Sequence, residues 1–160
     1  MVSIKGLQKT SLVDFAPYLS CIVFISGCNF RCGFCHNPEL VNDSKEIEEI
    51  SEEEISEFLK KRKKVLDGVC ITGGEPTLYK NLKPFIKKIK ALGYKVKLDT
   101  NGTFPGIVDD LIKENLLDYI AMDIKSTKEK YDKASGIKVN MANIQKSIDM
   151  IRNSKVDYEF

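Results

Sequence analysis

Alternation constrains this chain more than any other feature. LSCIVFIS (19–26) is an apolar, β-branched run that reads as a buried strand, and GVCIT (68–72), KVKLDT (95–100) and YIAMDIK (119–125) read as further strands. Helical patterns separate them. A helix is expected from about Ser51 through SEEEISEFLKKRKKVL, where Ser51 and Glu54 form a capping-box pattern and Ile55, Phe58, Leu59 and Leu66 share a face. Acidic residues fill its first turn and basic residues its last, as the helix dipole favours, so this charge run reads as a solvated face. NLKPFIKKIKALG (81–93) reads as a helix with Leu82, Phe85, Ile86 and Ile89 inward and Gly93 as its stop. PGIVDDLIKEN (105–115) reads as another, with Pro105 at its start. A short helix near 127–134, a helix over 142–154 and a fifth strand in KVDYEF (155–160) complete the pattern.

Strand–helix alternation with buried strands predicts an α/β fold of parallel βα units, and right-handed crossovers put the helices on one side of a sheet that curls toward a partial (β/α) barrel. In such folds the ligand site lies beyond the C-terminal ends of the strands. The motif-like stretches fall there. CNFRCGFCHN follows the first of these strands, TGGEPT the second, DTNG closes the third and MDIK the fourth. All four are expected to face one rim. The last strand has no helix after it, which suggests an architecture continuing past residue 160.

At 160 residues the chain is long enough for one domain with its own core and needs no disulfide staples. The balance of 25 basic against 23 acidic residues argues against a dedicated nucleic-acid binder. No apolar run is long enough to span a membrane, and the N-terminus lacks the apolar stretch of a signal peptide. The expected compartment is the cytoplasm, where clustered cysteines point to metal or catalysis rather than disulfides.

Three of the five cysteines, Cys28, Cys32 and Cys35, form C-x3-C-x2-C. A tight loop can bring three thiolates round one centre. A structural zinc site wants four closed ligands, and adjacent Cys35 and His36 are poorly placed to share an ion. An iron–sulfur cluster usually takes four cysteines, so three would leave one iron open to another ligand. Cys21 and Cys70 lie inside apolar strands and read as small buried hydrophobes. His36, the only histidine, is either a loop residue bonded to backbone or a hydrogen-bonding neighbour of a cluster. Gly73 and Gly74 let backbone approach a ligand or simply make a tight turn. Glu75 is placed to accept from a ligand ammonium. Asp99 and Asp123 are either helix caps or carboxylates for a cation or a ligand's polar group, and Lys125 pairs with a ligand carboxylate or with one of them.

The cysteine motif, with aromatic Phe34 before its last cysteine, resembles that of the radical S-adenosylmethionine (radical SAM) enzymes, and GGEP after the next strand supports this independently. QKTSLVDF, SGCNFRCGFCHNPEL, ITGGEPTL, LDTNG and MDIK together look like the glycyl-radical-enzyme activating group, most similar to activating proteins of anaerobic ribonucleoside-triphosphate reductase. The resemblance covers nearly the whole chain. It implies a single radical SAM core domain over 1–160, truncated relative to a (β/α)6 core and lacking the C-terminal strands that help hold adenosine. It also implies that Cys28, Cys32 and Cys35 hold a [4Fe-4S] cluster whose fourth iron binds S-adenosyl-L-methionine. Gly73, Gly74 and Glu75 would receive the cofactor's amino group, the backbone near Phe34 its adenine, and Lys125 its carboxylate. Asp99, Thr100, the backbone of Ala121 and Asp123 match positions near a monovalent cation. The implied chemistry is reductive cleavage of the cofactor to a 5′-deoxyadenosyl radical that takes hydrogen from a glycine of a partner enzyme. Flavodoxin or ferredoxin would supply the electron. Two alternatives stand beside this: a radical SAM enzyme acting on a small molecule, as in deazapurine synthesis, and a non-catalytic or incomplete metal-binding fragment.

Overall fold

The structure, a computed structural model, describes residues 1–42 and 46–160. Among these residues six strands form one sheet in chain order: β1 (Ile4–Ser11), β2 (Ser20–Ile25), β3 (Gly68–Gly73), β4 (Lys95–Thr100), β5 (Tyr119–Met122) and β6 (Asp157–Glu159). From β2 onward every neighbour is parallel, as the alternation predicts, with Ile22 opposite Cys70, Ile71 opposite Leu98 and Asp99 opposite Ala121. β1 is an addition. It runs antiparallel to β2 along the sheet edge, with register shifts on either side of Gly6–Gln8.

Among the described residues five α-helices connect the strands: α1 (Glu52–Arg62), α2 (Leu82–Ala91), α3 (Pro105–Lys113), α4 (Tyr131–Ser135) and α5 (Met141–Arg152). The expected capping box closes the start of α1: Ser51 Oγ accepts from Glu54 N at 3.1 Å, and Glu54 Oε2 accepts from Ser51 N at 2.8 Å. Leu82, Phe85, Ile86 and Ile89 of α2 are all buried, as their spacing requires. β5 stops at Met122, three residues short of the expected end, so Asp123, Ile124 and Lys125 lie beyond the strand.

Period-two alternation divides the sheet. On one face Val23, Ile25, Val69, Ile71, Val96, Leu98 and Ile120 pack in the main core with α1, α2, α3 and α5 residues such as Leu59, Ile86, Leu111 and Ile151. The other face carries Cys70, Lys97, Asp99 and Tyr119. The β1–β2 loop floors it: Phe15 is buried edge-on against Tyr119, with ring centroids 6.1 Å apart, and Asp14 O accepts from Lys97 Nζ at 2.8 Å. Among the described residues no helix is long and apolar enough to cross a membrane.

Candidate active site

One cavity of about 310 Å³ opens at the C-terminal ends of the parallel strands. It is lined by Cys28, Cys32, Cys35, Phe34 and His36 from the segment after β2, by Gly73, Gly74 and Glu75 from the end of β3, by Asp99 and Thr100 from the end of β4, and by Asp123 and Lys125 beyond β5. The topology thus gathers every residue that the sequence singled out except Ala121, which is paired with Asp99 in the sheet.

The three cysteines are free thiols, each partly exposed. Cys28 Sγ accepts from Phe30 N at 3.4 Å. Burial pushes the Cys28 and Cys32 thiols up, and the Lys125 ammonium pulls Cys32 the other way. Among the described residues no three His, Cys, Asp or Glu side chains converge closely enough to hold a single ion. The thiols therefore share a cavity without sharing a point. Cys21 and Cys70 are buried, the Cys70 Sγ donating to Asp99 Oδ2 at 3.6 Å, and burial pushes the Cys21 thiol up to about 12. Both lie outside the cavity.

Gly73 and Gly74 owe their missing side chains to the neighbouring strand. Gly73 has φ of +114°, and a Cβ there would lie 2.6 Å from Ile25 N; a Cβ at Gly74 would overlap Gly27 O. Gly74 N and Glu75 N donate to Ile25 O and Gly27 O at 2.7 and 2.8 Å, locking the end of β3 onto the residues that lead into the cysteine loop.

Glu75 is fully buried and its carboxylate is committed within the protein. Oε1 accepts from Thr77 N at 3.0 Å, from the Thr77 hydroxyl and from Thr100 Oγ1 at 2.7 Å; Oε2 accepts from Asn101 N at 2.6 Å. Burial raises its pKa against the pull of these donors. Thr100 Oγ1, engaged with Glu75, also accepts from Gly102 N at 3.1 Å.

Among the residues lining the cavity, Asp99 carries an unsatisfied atom. Its Oδ1 is buried without a hydrogen bond, with Lys97 Nζ 3.7 Å away, and burial raises its pKa. Asp123 and Lys125 pair at 2.7 Å, and the Lys125 ammonium stands 5.9 Å from the centre of the exposed Phe34 ring. Burial alone would lower the Lys125 pKa, but Asp123 outweighs it and keeps the ammonium charged.

Two groups of side chains around the cavity went unread in the sequence. Asn29 Oδ1 accepts from Asn101 Nδ2 at 2.8 Å and Asn29 Nδ2 donates to Thr103 Oγ1 at 2.9 Å, joining positions 72 and 74 residues apart. Lys97, nearly buried, reaches Glu159 at 2.9 Å. Asn101 lay inside the quoted DTNG motif, but no local pattern marked its partner.

A protein of Methanocaldococcus jannaschii, MJ1227, whose name assigns it provisionally to the glycyl-radical enzyme activating enzymes, is 37% identical over 132 residues, 80% of this chain and 52% of that protein. The pyruvate formate-lyase-activating enzyme of Clostridium pasteurianum is 32% identical over 78% of this chain and 53% of its own length. The 7-carboxy-7-deazaguanine synthase of Aquifex aeolicus is 33% identical over 62% and 42% respectively. The chain spans about half the length of the curated relatives it matches. The crystal structure of QueE from Escherichia coli shares the fold, with a TM-score of 0.59 at 13% identity over 98% of this chain and 80% of that one. Residues 22–158, from β2 into β6 and so including every strand end that builds the cavity, match the family model, and the chain belongs to the radical SAM superfamily.

Proposed function

We propose that this chain is a glycyl-radical-enzyme activating protein, with Cys28, Cys32 and Cys35 holding three irons of a [4Fe-4S] cluster and S-adenosyl-L-methionine seated beside it. One observation carries this: three soft thiols and the polar groups of the next three strand ends line a single cavity. The residues present fit the group. Three soft thiols lining one cavity suit an iron–sulfur cluster, in which each binds its own iron. Three cysteines leave one iron for another ligand, and the buried Asp99 Oδ1, which makes no hydrogen bond and has Lys97 Nζ 3.7 Å away, can take a further donor or cation. When bound, the pair supplies one-electron reductive cleavage of a sulfonium.

The protein's part is to bind and orient. Lys125, kept charged by Asp123, faces the cysteine side and suits a ligand carboxylate. The exposed Phe34 offers an aromatic face at the mouth. The Gly73–Gly74 backbone forms the wall beside Cys28. Glu75, with both oxygens engaged, holds that wall from behind rather than offering a bare carboxylate. Asp99 and Asp123 are the best acceptors for a monovalent cation, because the Thr100 hydroxyl is committed to Glu75. The proposed partner is an anaerobic ribonucleoside-triphosphate reductase, with flavodoxin or ferredoxin as the electron donor. Five free thiols suit a reducing compartment such as the cytoplasm.

The test is anaerobic. Protein reconstituted with iron and sulfide is given dithionite and S-adenosyl-L-methionine, and 5′-deoxyadenosine is quantified. Product that disappears in Cys32→Ala is expected. A fully loaded cluster that gives none would overturn cleavage by residues 1–160. The similarity to deazaguanine synthases supports a second candidate, and electron paramagnetic resonance separates the two. A glycyl radical appearing in a co-incubated reductase supports the activating role; formation of 7-carboxy-7-deazaguanine without it would replace that role.

A further inference from the structure

The cysteine loop is anchored unevenly. Its second half, Gly33 and Phe34, is exposed. Its first half, the Asn29–Phe30–Arg31 triplet between Cys28 and Cys32, is fixed at every residue. Asn29 is tied to Asn101 and Thr103. Phe30 is buried edge-on against Tyr131 of α4, with centroids 6.4 Å apart. Arg31 N donates to Ser135 O at 2.7 Å, while its guanidinium folds back onto Cys28 O and Phe30 O at 2.6 and 2.7 Å.

Both anchors lean on one region of the chain. Ser135 and Gly136 end α4 and lead into α5. From α5, Asn143 Nδ2 donates to Thr103 O at 3.1 Å and Ser147 Oγ to Gly102 O at 2.7 Å, so the same helix holds the turn that holds Asn29. Ser135 is fully buried, its hydroxyl donating to Ile137 O at 3.0 Å. Gly136 is packed directly against the Arg31 backbone. It has φ of +70°, and a Cβ there would collide with Arg31 O and lie 2.7 Å from Arg31 C, which is backbone and cannot swing aside.

We propose that the α4–α5 connection is the brace that sets the spacing of Cys28 and Cys32, and that Gly136 is its positioning residue. This rests on the assignment of those cysteines as cluster ligands. Gly136 touches neither thiol; it acts through the Arg31 backbone, one residue before Cys32. Groups that orient metal ligands from behind typically matter about 10–100-fold for metal retention.

The full chain, reconstituted with iron and sulfide, is compared as wild type, Gly136→Ala, Gly93→Ala and Ser147→Ala. Gly93 is the control for backbone strain: it has φ of +80° after α2, and a Cβ there meets only the movable Lys63 side chain. Loss of iron to a chelator is expected to be about tenfold faster in Gly136→Ala, with an altered line shape in the electron paramagnetic resonance spectrum of the reduced cluster. Gly93→Ala should lower the thermal midpoint of the iron-free chain while leaving both cluster properties at their wild-type values. Wild-type iron retention and line shape in Gly136→Ala, or the same change in Gly93→Ala, would overturn the brace. If Gly136→Ala does not fold, Ser147→Ala decides: it releases the hold of α5 on the Gly102 turn without backbone strain, and unchanged iron loss there overturns the proposal. A wild-type chain that takes up no cluster, or a Cys32→Ala variant that keeps all its iron, counts against the ligand assignment instead. The brace is then read from alkylation of the Cys28 and Cys32 thiols in the iron-free chain, faster in Gly136→Ala if it holds and unchanged if it does not.

Discussion

Glu75 is the residue on which the ends of β3 and β4 converge. Two of its four donors, Thr77 N and Asn101 N, are backbone groups that cannot turn away. In Glu75→Gln the new amide must present its NH2 group to one of them, leaving a buried N–H without an acceptor. The expected cost is about 1–3 kcal/mol, seen as a lower urea midpoint of the iron-free chain with an unchanged slope. An unchanged midpoint would show that the carboxylate is not holding these strand ends together. At this scale the sequence is partly legible. C-x3-C-x2-C, GGE, DTN and the Asp123–Lys125 pair are local patterns, and the cavity gathers them. The use of each side chain is less so. Thr77 lies two residues from Glu75, but Thr100 and Asn101 lie 25 and 26 residues away, and only the parallel pairing of β3 with β4 brings them in. The glycines of GGE show the same limit: their spacing marks a close approach, but not that it is made to Ile25 and Gly27.

Among the elements, α1, α2 and α3 are legible from caps and apolar periodicity, because each buries one stripe against the sheet. β1 is not. Its sequence, IKGLQKTS, buries only its first and last residues, since it pairs with a single neighbour at the sheet edge. Its attachment to the helical layer runs partly through Glu52 in the first turn of α1, which accepts from Val2 N at 3.2 Å and from Lys88 Nζ of α2 at 2.7 Å. Burial works to raise the Glu52 pKa, but the hydrogen bonds from Lys88 and Val2 and the Lys88 charge outweigh it, holding the carboxyl below its ordinary 4.5. Below 4.5 the unfolded chain takes up this proton before the folded one does. The contribution is therefore complete above 4.5 and is lost as the pH falls through the lowered folded value. Lys88 is more than half exposed, so the effect should stay below about 1 kcal/mol. Glu52→Gln is expected to be slightly less stable than wild type at pH 7 and to converge with it in acid. A difference that persists unchanged in urea titrations below pH 4.5 would assign it to packing instead.

Across the whole molecule, one charge links the sheet face opposite the helices to its floor loop and to the last strand. Lys97 Nζ, on the central strand β4, donates to Asp14 O in the floor loop and to Glu159 of β6, and faces Asp99 Oδ1 at the cavity. Burial alone would lower its pKa, but Glu159 and Asp99 outweigh that and keep it charged. The three contacts differ in weight. Glu159 is half exposed, so Glu159→Gln should cost no more than about 1 kcal/mol. Lys97→Met removes the cation that stands 3.7 Å from the buried Asp99 Oδ1. The Asp99 side chain as a whole is a third exposed, so leaving its charge uncompensated should cost less than the about 3–5 kcal/mol of a fully buried pair. If that is the origin of the loss, Lys97→Met combined with Asp99→Asn recovers most of it, whereas Lys97→Met combined with Glu159→Gln does not. Urea unfolding of the single and double variants gives the two coupling energies directly. Equal recovery in both pairs would mean that Lys97 serves the sheet edge as much as the site. Recovery with Asp99 alone would make Lys97 the internal counter-charge of the cavity, connecting the closure of the last strand to the polarity of the pocket above it.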